Sequence, residues 1–431
     1  MNVLMFGWEF PPHISGGLGT ACQGLAKGLS KLPDIQLTFV VPKSWGDEKG
    51  NSCRLIGANQ VALKSKWQEK KTESEGFDLV NVRSDIIPYQ TPEEFWLEKK
   101  RRHIRNTRFV EVNEDGKIDF TGLYGPTLFQ EIRNYSLIAR QIAEENPADL
   151  VHAHDWLAYP AGMAAARISG APLIVHVHAT EFDRSGGEID PKVYSIEREG
   201  MEAADRIIAV SNLTRQTVIE KYGIHPRKVV TIYNAVESIS ENEKESLKNG
   251  LSGKIVSFIG RITQQKGPEY FVEAARLILQ KMENVRFVMA GSGNRMDNII
   301  EQVARSGLSD RFHFTGFLRV DEVNRLLKIS QVFVMPSVSE PFGITPLEAM
   351  RCGVPVIISR QSGVSEIVKY AIKTDFWDTH AMADAIFGLL NYPALSGLMI
   401  EKGRKEAGNL SWNHVAEEVF KIYQQVFQPY H

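Results

Sequence analysis

The sequence predicts an α/β protein built from two doubly wound domains that face each other across a cleft. Short apolar runs rich in Val and Ile alternate with segments of helical period along most of the 431 residues. That alternation is typical of parallel strands joined by crossover helices. A chain of this length also exceeds one ordinary hydrophobic core. A charged segment poor in apolar residues, 237–253, divides the pattern in two and is predicted to be a linker.

The apolar runs define the predicted strands of each domain. In the first domain, residues 1–236, they are Asn2–Gly7, Ile35–Val41, Asp149–His154, Leu173–His178, Arg206–Ser211 and Val229–Val236. In the second domain, residues 254–410, they are Lys254–Gly260, Val285–Gly291, Phe312–Phe317, Val332–Pro336 and Pro355–Ser359. Residues 411–431 predict a final helix, with Ser411 as its N-cap and one apolar face that requires a partner.

One polar segment, about 43–124, interrupts the first series of strands. An unstructured loop of this length is unusual in a compact domain. Strand-like pieces at 77–82 and 109–112 predict an embedded subdomain instead. The basic run at 98–103 is predicted to be the solvated face of a helix rather than a binding patch.

Composition excludes several classes of protein. Fifty Lys and Arg residues stand against 52 Asp and Glu residues, so nothing predicts a nucleic-acid partner or binding to an anionic membrane surface. The three cysteines, Cys22, Cys53 and Cys352, are widely spaced and are expected to be reduced thiols. No apolar stretch approaches the length of a membrane span, and the N-terminus lacks a basic leader. We therefore expect a cytoplasmic protein.

The most informative motif is the segment 339–350, which follows the predicted strand Val332–Pro336. A Gly-bearing turn there opens a helix at the carboxyl end of a strand, where open α/β sheets bind ligands. Amide groups at a helix N-terminus favour an anion such as a nucleotide-sugar diphosphate. Glu340 and Glu348 then remain for sugar or ribose hydroxyls, although an ordinary turn with two solvated glutamates is the alternative. The predicted anion-binding amides are those of Gly343, Ile344, Thr345 and Leu347.

Three further Gly-containing loops follow predicted strands. Arg261 and Lys266, on the loop after the second domain's first strand, form a plausible diphosphate clamp, with a solvated loop as the alternative. Gly291 ends the next strand and permits close approach of a backbone. In the first domain, Gly16 and Gly17 also permit close approach of a backbone. They lack the spacing of a dinucleotide-binding fingerprint, and they are equally consistent with a tight turn.

Histidines occur in two alternating pairs at successive strand ends: His152 with His154, and His176 with His178. Each pair lies on one face of its strand, which is an arrangement that a metal site could use. However, no further ligand set has metal spacing, and the chain has no Asp-x-Asp that would hold a divalent ion against a diphosphate. We expect no metal. His154 is predicted to face the cleft as a hydrogen-bond donor, and the other histidines are predicted to lie in the core.

Taken together, these motifs resemble the retaining, group 1 glycosyltransferases of the GT-B fold, which has two Rossmann-like domains. That group includes glycogen and starch synthases. The resemblance implies that Arg261 and Lys266 bind the donor diphosphate, that Glu340 contacts the sugar and that Glu348 binds the ribose. It places His154 near the transferred sugar and the final helix on the N-terminal domain. The remaining implied site residues are Gly16 and Gly17 at the phosphates and acceptor, Gly291 at the donor, and Asp155 and His178 on the acceptor side.

The implied activity is metal-independent transfer of a hexose, expected to be glucose, from ADP- or UDP-glucose to a glycan acceptor. Two features depart from bacterial and plant glycogen synthases: Ile14 stands where they carry a lysine, and Glu348 is a glutamate they lack. The segment Lys369–Trp377 also replaces a Gly-containing loop of the family. A sugar-nucleotide epimerase, a phosphorylase and a non-catalytic glycan-binding protein remain as alternatives.

Overall fold

The computed structural model describes residues 1–14, 16–48, 53–64, 112–237 and 253–427. The chain divides into two compact units. The first unit contains Met1–Val210, Thr214–Ile232 and Trp412–His431, and the second contains Ser211–Leu213 and Tyr233–Ser411.

The first unit is built on a seven-stranded parallel sheet of order β3-β2-β1-β4-β5-β6-β7. The central strands are buried on both faces, which explains their continuous apolar runs. The strands are β1 (Asn2–Phe6), β2 (Gln36–Val41), β3 (Arg54–Gly57), β4 (Leu150–His154), β5 (Leu173–Val177), β6 (Arg206–Ala209) and β7 (Val229–Thr231). Among the described residues up to 222, the α-helices are α1 (Gly17–Leu29), α2 (Leu128–Glu145), α3 (Asp155–Ser169), α4 (Glu181–Arg184), α5 (Pro191–Ala203) and α6 (Asn212–Tyr222).

The second unit repeats the architecture with a six-stranded parallel sheet of order β10-β9-β8-β11-β12-β13. Its strands are β8 (Lys254–Ile259), β9 (Val285–Ala290), β10 (Phe312–Gly316), β11 (Val332–Met335), β12 (Val356–Ser359) and β13 (Ile372–Thr374). The helices that follow are α7 (Pro268–Leu279), α8 (Met296–Arg305), α9 (Val320–Ile329), α10 (Thr345–Cys352), α11 (Thr379–Asn391), α12 (Pro393–Gly408) and α13 (Trp412–Phe427), the last of which belongs to the first unit.

Two edge strands were not predicted from the sequence. β3 lies inside the segment predicted to be an insertion, so that part of the segment belongs to the main sheet. β13 lies inside Lys369–Trp377, where the sequence departs from the family loop, and it pairs with β12. β7 is also shorter than predicted, since it ends at Thr231. The predicted pieces at 77–82 and 109–111, the basic run at 98–103 and residues 238–252 of the linker lie outside the described residues.

The final helix packs against α1 within the first unit, as the resemblance implied. Two glycines on α1 allow the final helix to pack closely. A Cβ added at Gly24 would lie 2.2 Å from the Trp412 ring, and one added at Gly28 would lie 2.5 Å from the Trp412 carbonyl oxygen. Further along the helix, the Tyr423 hydroxyl lies 2.6 Å from Nδ1 of His152 on β4. The apolar face predicted for the final helix is therefore buried against the first sheet and its first helix.

None of the helices in the described part of the chain is, by itself, long and apolar enough to cross a membrane. One pair, Thr379–Asn391 with Pro393–Phe427, passes a length and composition test only when both parts, bent by 96°, are taken together.

The contact between Gly24 and Trp412 can be tested with two glycine-to-alanine variants in helices. Gly24→Ala places a methyl group inside the Trp412 ring, and we expect overpacking to lower the free energy of unfolding by about 1–3 kcal/mol. Gly397→Ala, in α12, meets no atom within 4 Å. We expect it to raise the free energy of unfolding by about 0.5–1 kcal/mol through reduced backbone entropy. Urea denaturation measures both, and equal effects of the two variants would contradict the packing.

Candidate active site

Lys266 and Glu340, both predicted at the donor, form an ion pair in the second unit. Lys266 ends a 3-10 turn (Gln264–Lys266) after β8, and Glu340 lies on the loop after β11. The Lys266 ammonium donates a hydrogen bond to Oε2 of Glu340, and the Ser337 hydroxyl lies 3.3 Å from the same oxygen. Glu340 is only 6% exposed. The cation that would bind a diphosphate therefore already contacts the carboxylate that would bind a sugar.

A buried glutamine that the sequence analysis did not identify connects the two loops. The side-chain oxygen of Gln265 accepts a hydrogen bond from Arg261 at 3.2 Å. Its backbone oxygen accepts one from the N–H of Val338 at 2.9 Å. Gln265 thus orients Arg261 and holds the β8 loop against the β11 loop. Nothing in the run Gln264-Gln265 distinguishes the two residues, because only burial in the fold does so.

Gly291 has a structural role that explains its identity. Its φ is +136°, and an added Cβ would lie 1.8 Å from the carbonyl oxygen of Gly260. The loops after β8 and β9 meet at this point, and the Ile262 N–H donates to the Ser292 carbonyl at 2.9 Å. The predicted close approach of a backbone at Gly291 is thus an approach of this chain to itself, and it does not require a ligand.

Three of the four amides predicted to bind an anion have no hydrogen-bond acceptor within helix α10. Ile344 is the N-cap of α10, so the helix supplies no acceptor for its N–H or for those of Gly343 and Thr345. Leu347 is different, because its N–H donates to the carbonyl oxygen of Ile344 at 2.9 Å. The prediction that the Leu347 amide contacts the anion is therefore wrong.

Glu348, the predicted ribose ligand, lies in the first turn of α10. Burial raises the pKa of its carboxyl from 4.5 to about 7. Near neutral pH the group therefore exists in both forms. A protonated carboxyl donates as well as accepts, which suits recognition of hydroxyl groups.

The turn Gly363–Glu366, which resembles a sugar-binding turn of the family, packs on the Glu340 loop. The Gly363 N–H donates to the Glu340 carbonyl at 2.9 Å, and the Glu340 N–H donates to the Gln361 carbonyl at 3.0 Å. The Glu366 carboxylate accepts from the N–H groups of Asn212 and Leu213 at 2.9 and 2.8 Å. The backbone of Glu340 is therefore fixed on both sides by this turn.

The four histidines of the first unit form one cluster at the carboxyl ends of β4 and β5. Nδ1 of His154 and Nε2 of His178 lie 2.9 Å apart, so one of them donates a hydrogen bond to the other. Burial lowers the pKa of His178 to about 3 and holds the pKa of the other three well below 6.5, so all four rings are neutral. His154 has no exposed surface, whereas His178 has some. Of these two rings, His178 is the more accessible one, whereas Nε2 of His154 is buried and has no hydrogen-bond partner among the described residues. That His154 presents a donor to a ligand stays a prediction.

Ring nitrogens of His152, His154 and His176 lie within 4.8 Å of one another, and so do the ligand atoms of Cys22, His154 and His178. A metal ion must lie in the plane of each imidazole that binds it. The first three rings instead stack with centroids 4.4–5.4 Å apart and planes 4–27° apart. Their lone pairs run side by side, so these rings would have to rotate before they could share an ion.

Asp155, predicted on the acceptor side, positions the loop that carries His178. Its buried carboxylate accepts hydrogen bonds from the backbone N–H of His178 at 2.6 Å and from the backbone N–H of Ala179 at 3.4 Å. Among the described residues, Asp155 is also the non-glycine residue with a positive φ, +57°. Burial raises the pKa of Asp155 to about 7, against an opposing effect of Arg184. Asp155 thus ties the start of α3 to the loop that carries His178.

Gly16 and Gly17 open α1, and a Cβ added to either would meet no described atom within 4 Å. Packing within the described chain therefore does not explain these two glycines. Behind them, the buried carboxylate of Glu9 accepts from the Gly19 N–H at 3.2 Å and from the Tyr124 hydroxyl at 3.3 Å. Glu9 was not identified from the sequence, because no pattern marks an acidic residue so close to the first strand as buried.

Two sequence families match the chain: Glycosyl transferases group 1 over residues 239–406, and Glycosyltransferase Family 4 over residues 102–238. Alpha-maltose-1-phosphate synthase of Mycolicibacterium smegmatis is 30% identical over 314 residues, which are 65% of this chain and 79% of that protein. Glycogen synthase of Mycobacterium tuberculosis is 25% identical over 434 residues, 98% of this chain and 94% of that protein.

Among solved structures, sucrose-phosphate synthase from Thermosynechococcus elongatus matches with a TM-score of 0.72 at 18% identity, over 99% of each chain. An Anabaena protein solved in complex with UDP and glucose matches with a TM-score of 0.68 at 16% identity, over 99% of this chain and 100% of that one. The fold is that of the GT-B enzymes. The chain belongs to the group 1 glycosyltransferases, so the resemblance of its motifs to this GT-B group is confirmed.

The buried carboxyl of Asp155 predicts a pH dependence of stability. Its folded pKa of about 7 lies above the ordinary 3.8, so its contribution to stability is complete below about pH 4 and is lost as the pH rises through 7. Asp155→Asn keeps an acceptor oxygen, tolerates the positive φ and does not titrate. We expect the variant to gain stability relative to the wild type between pH 4 and 7. Urea denaturation across that range measures it, with the exposed Asp115→Asn as control, and parallel curves for Asp155→Asn and the wild type would refute the assignment.

Proposed function

We propose that this glycosyltransferase transfers a hexose, with retention of configuration and without a metal ion, from a nucleotide-diphosphate sugar to a carbohydrate acceptor. The observation that carries the proposal is the Lys266–Glu340 pair beside the N-terminus of α10. A cation and free helix amides suit a diphosphate, and a buried carboxylate next to them suits sugar hydroxyls.

The proposed donor is UDP- or ADP-glucose. Lys266, Arg261 and the α10 amides would neutralise the diphosphate, and Glu348 would contact the ribose through a carboxyl that can both donate and accept. The Anabaena neighbour solved with UDP and glucose supports such a donor. The relatives named glycogen synthase and alpha-maltose-1-phosphate synthase support glucose as the transferred sugar.

The proposed chemistry depends on stabilising the leaving diphosphate. Preorganised cations and amides act where negative charge develops, and this is usually a large catalytic effect. Retaining glycosidases place two carboxylates about 5 Å apart across the bond. Here Glu340 is instead engaged by Lys266, which suits sugar binding better than nucleophilic attack. We propose that the acceptor attacks from the face that the leaving group occupies, as the family resemblance implies.

Two kinds of acceptor are candidates. Glycogen synthase, by its name, supports a glucan chain, and alpha-maltose-1-phosphate synthase supports a small phosphorylated sugar. Assays with maltooligosaccharides and with glucose 1-phosphate, each with UDP- and ADP-glucose, separate the two. Release of the nucleotide without any acceptor product would favour an epimerase or a hydrolase instead.

Replacement of the two cations tests the proposed donor site. Arg261→Ala should lower turnover by about 10²–10³-fold with an unchanged fold, because Arg261 is a loop residue whose guanidinium, held by a hydrogen bond to the side chain of Gln265, would meet the negative charge that develops on the leaving diphosphate. Lys266→Ala should lower turnover as much, and it should also destabilise the protein by on the order of 3 kcal/mol, because Glu340 is left buried without its cation.

A compensating variant separates these two effects of Lys266. Lys266→Met combined with Glu340→Gln removes both charges, and we expect it to recover most of the stability and none of the turnover. Steady-state kinetics and thermal denaturation on the same preparations measure both quantities. Near wild-type turnover in a folded Arg261→Ala enzyme would mean that the diphosphate binds elsewhere.

Independence from metal is tested separately. Turnover should be unchanged after dialysis against EDTA, because the proposed site meets the diphosphate with protein cations and helix amides. Adding Mg²⁺ or Mn²⁺ to the dialysed enzyme is the control. A loss of activity that either ion restores would exclude the metal-free mechanism.

A further inference from the structure

A cavity of about 270 Å³ lies in the first unit at the carboxyl ends of β1 and β2. Its walls come from the segment after β1, the segment after β2 and the segment that precedes α2. This is the edge of a parallel sheet at which doubly wound folds bind ligands. A second cavity of similar size is lined by Ser30, Gln36 and Arg54. It lies at the opposite, amino end of β2, which is not the ligand-binding edge of such a sheet.

Lys43 gives the cavity a cation that no carboxylate neutralises within the described residues. Its ammonium lies 3.8 Å from the centroid of the Trp45 ring. His13, which also lines the cavity, hydrogen-bonds to Asp47 at 2.8 Å and stacks on Trp45 with centroids 4.8 Å apart. Trp45 therefore holds Lys43 in place through a cation–π contact, which is a weak partner for a charged group compared with an anion.

The inner wall of the cavity supplies groups for sugar hydroxyls. Trp8 is 1% exposed, and its indole N–H has no acceptor among the described residues. Buried donors of this kind nearly always have a partner in a folded protein. Beside Trp8 stand the carboxylate of Glu9 and the hydroxyl of Tyr124, 3.3 Å apart. A donor, an acceptor and a hydroxyl against an aromatic wall form a typical carbohydrate-binding surface.

We infer that this cavity is the acceptor site and that it selects a sugar phosphate. In this assignment the sugar hydroxyls contact Trp8, Glu9 and Tyr124, and the phosphate pairs with Lys43. An uncharged glucan offers Lys43 no partner, whereas a phosphate provides the anion that the lysine lacks. The inference rests on the proposed function and decides between its two kinds of acceptor.

Calorimetric titration of the full chain tests the inference. The probes are glucose 1-phosphate, glucose 6-phosphate, glucose, inorganic phosphate and maltotetraose, each with and without saturating UDP. We expect at least one glucose phosphate to bind at least tenfold more tightly than glucose, inorganic phosphate or maltotetraose. Lys43→Met should remove that preference, Lys43→Arg should retain it, and Lys281→Met, at an exposed lysine of the second unit, should leave it unchanged.

Several outcomes would overturn the inference. Equal affinity of Lys43→Met and wild type for glucose phosphates would do so, and so would tighter binding of maltotetraose. Inorganic phosphate binding as tightly as the glucose phosphates would show an anion site without sugar recognition. Binding of UDP and of ADP, measured on the same samples, distinguishes failure of one proposal from failure of the other. If neither nucleotide binds in any preparation, the proposed function is contradicted, whereas normal binding of UDP or ADP with an indifferent Lys43→Met contradicts only the acceptor assignment.

Discussion

The organisation of the second unit depends on one buried charge. Glu340 has little contact with water, so its carboxylate requires a cation, and Lys266 provides it. Neighbouring strands of a parallel sheet, β8 and β11, bring the two loops to one edge. The other contacts of the site maintain this pair: Gln265 joins the loops, and the turn at Gly363 fixes the Glu340 backbone. The cost of burying the carboxylate is thus offset by a geometry that also places a cation and a helix N-terminus together.

The first unit also buries polar groups, but it keeps most of them neutral instead of pairing opposite charges. At the carboxyl ends of β4 and β5 the polar groups are buried and mostly neutral, since burial lowers the pKa of the four histidines and raises that of Asp155. Their hydrogen bonds join strand ends to loops and to Tyr423 of the final helix. Deeper in the same unit, Glu197 does retain charged partners, because Arg184 contacts it directly. The contacts of Asp155 and His154 set the position of His178.

The sequence predicted most strands because both faces of a central parallel strand are buried, which leaves a continuous apolar run. It did not predict β3 and β13, which are short edge strands with weaker apolar patterns. Alternation correctly placed each histidine pair on one face, but it carries no information about depth, so it did not show that the His154 ring is buried. The roles of Asp155 and Leu347 depend on hydrogen bonds that only the folded backbone defines. Gln265 and Glu9 required burial to be recognised, and single residues give no such signal.

The two units also differ in how freely their sites can change. In the second unit, the proposed donor residues are held by a buried ion pair and by loops that contact each other, as at Gly291 and Gly260. Substitution there disturbs packing and charge together, and such changes are the costly ones. In the cavity of the first unit, Lys43, His13 and Trp45 are partly exposed side chains on loops, and Trp45 is 50% exposed. Substitutions at such positions cost little stability. In the proposed assignment the phosphate of the acceptor is therefore recognised by a loop residue, Lys43, that can change at little cost in stability, whereas two of the residues proposed for the sugar hydroxyls, Trp8 and Glu9, are buried and change at a higher cost.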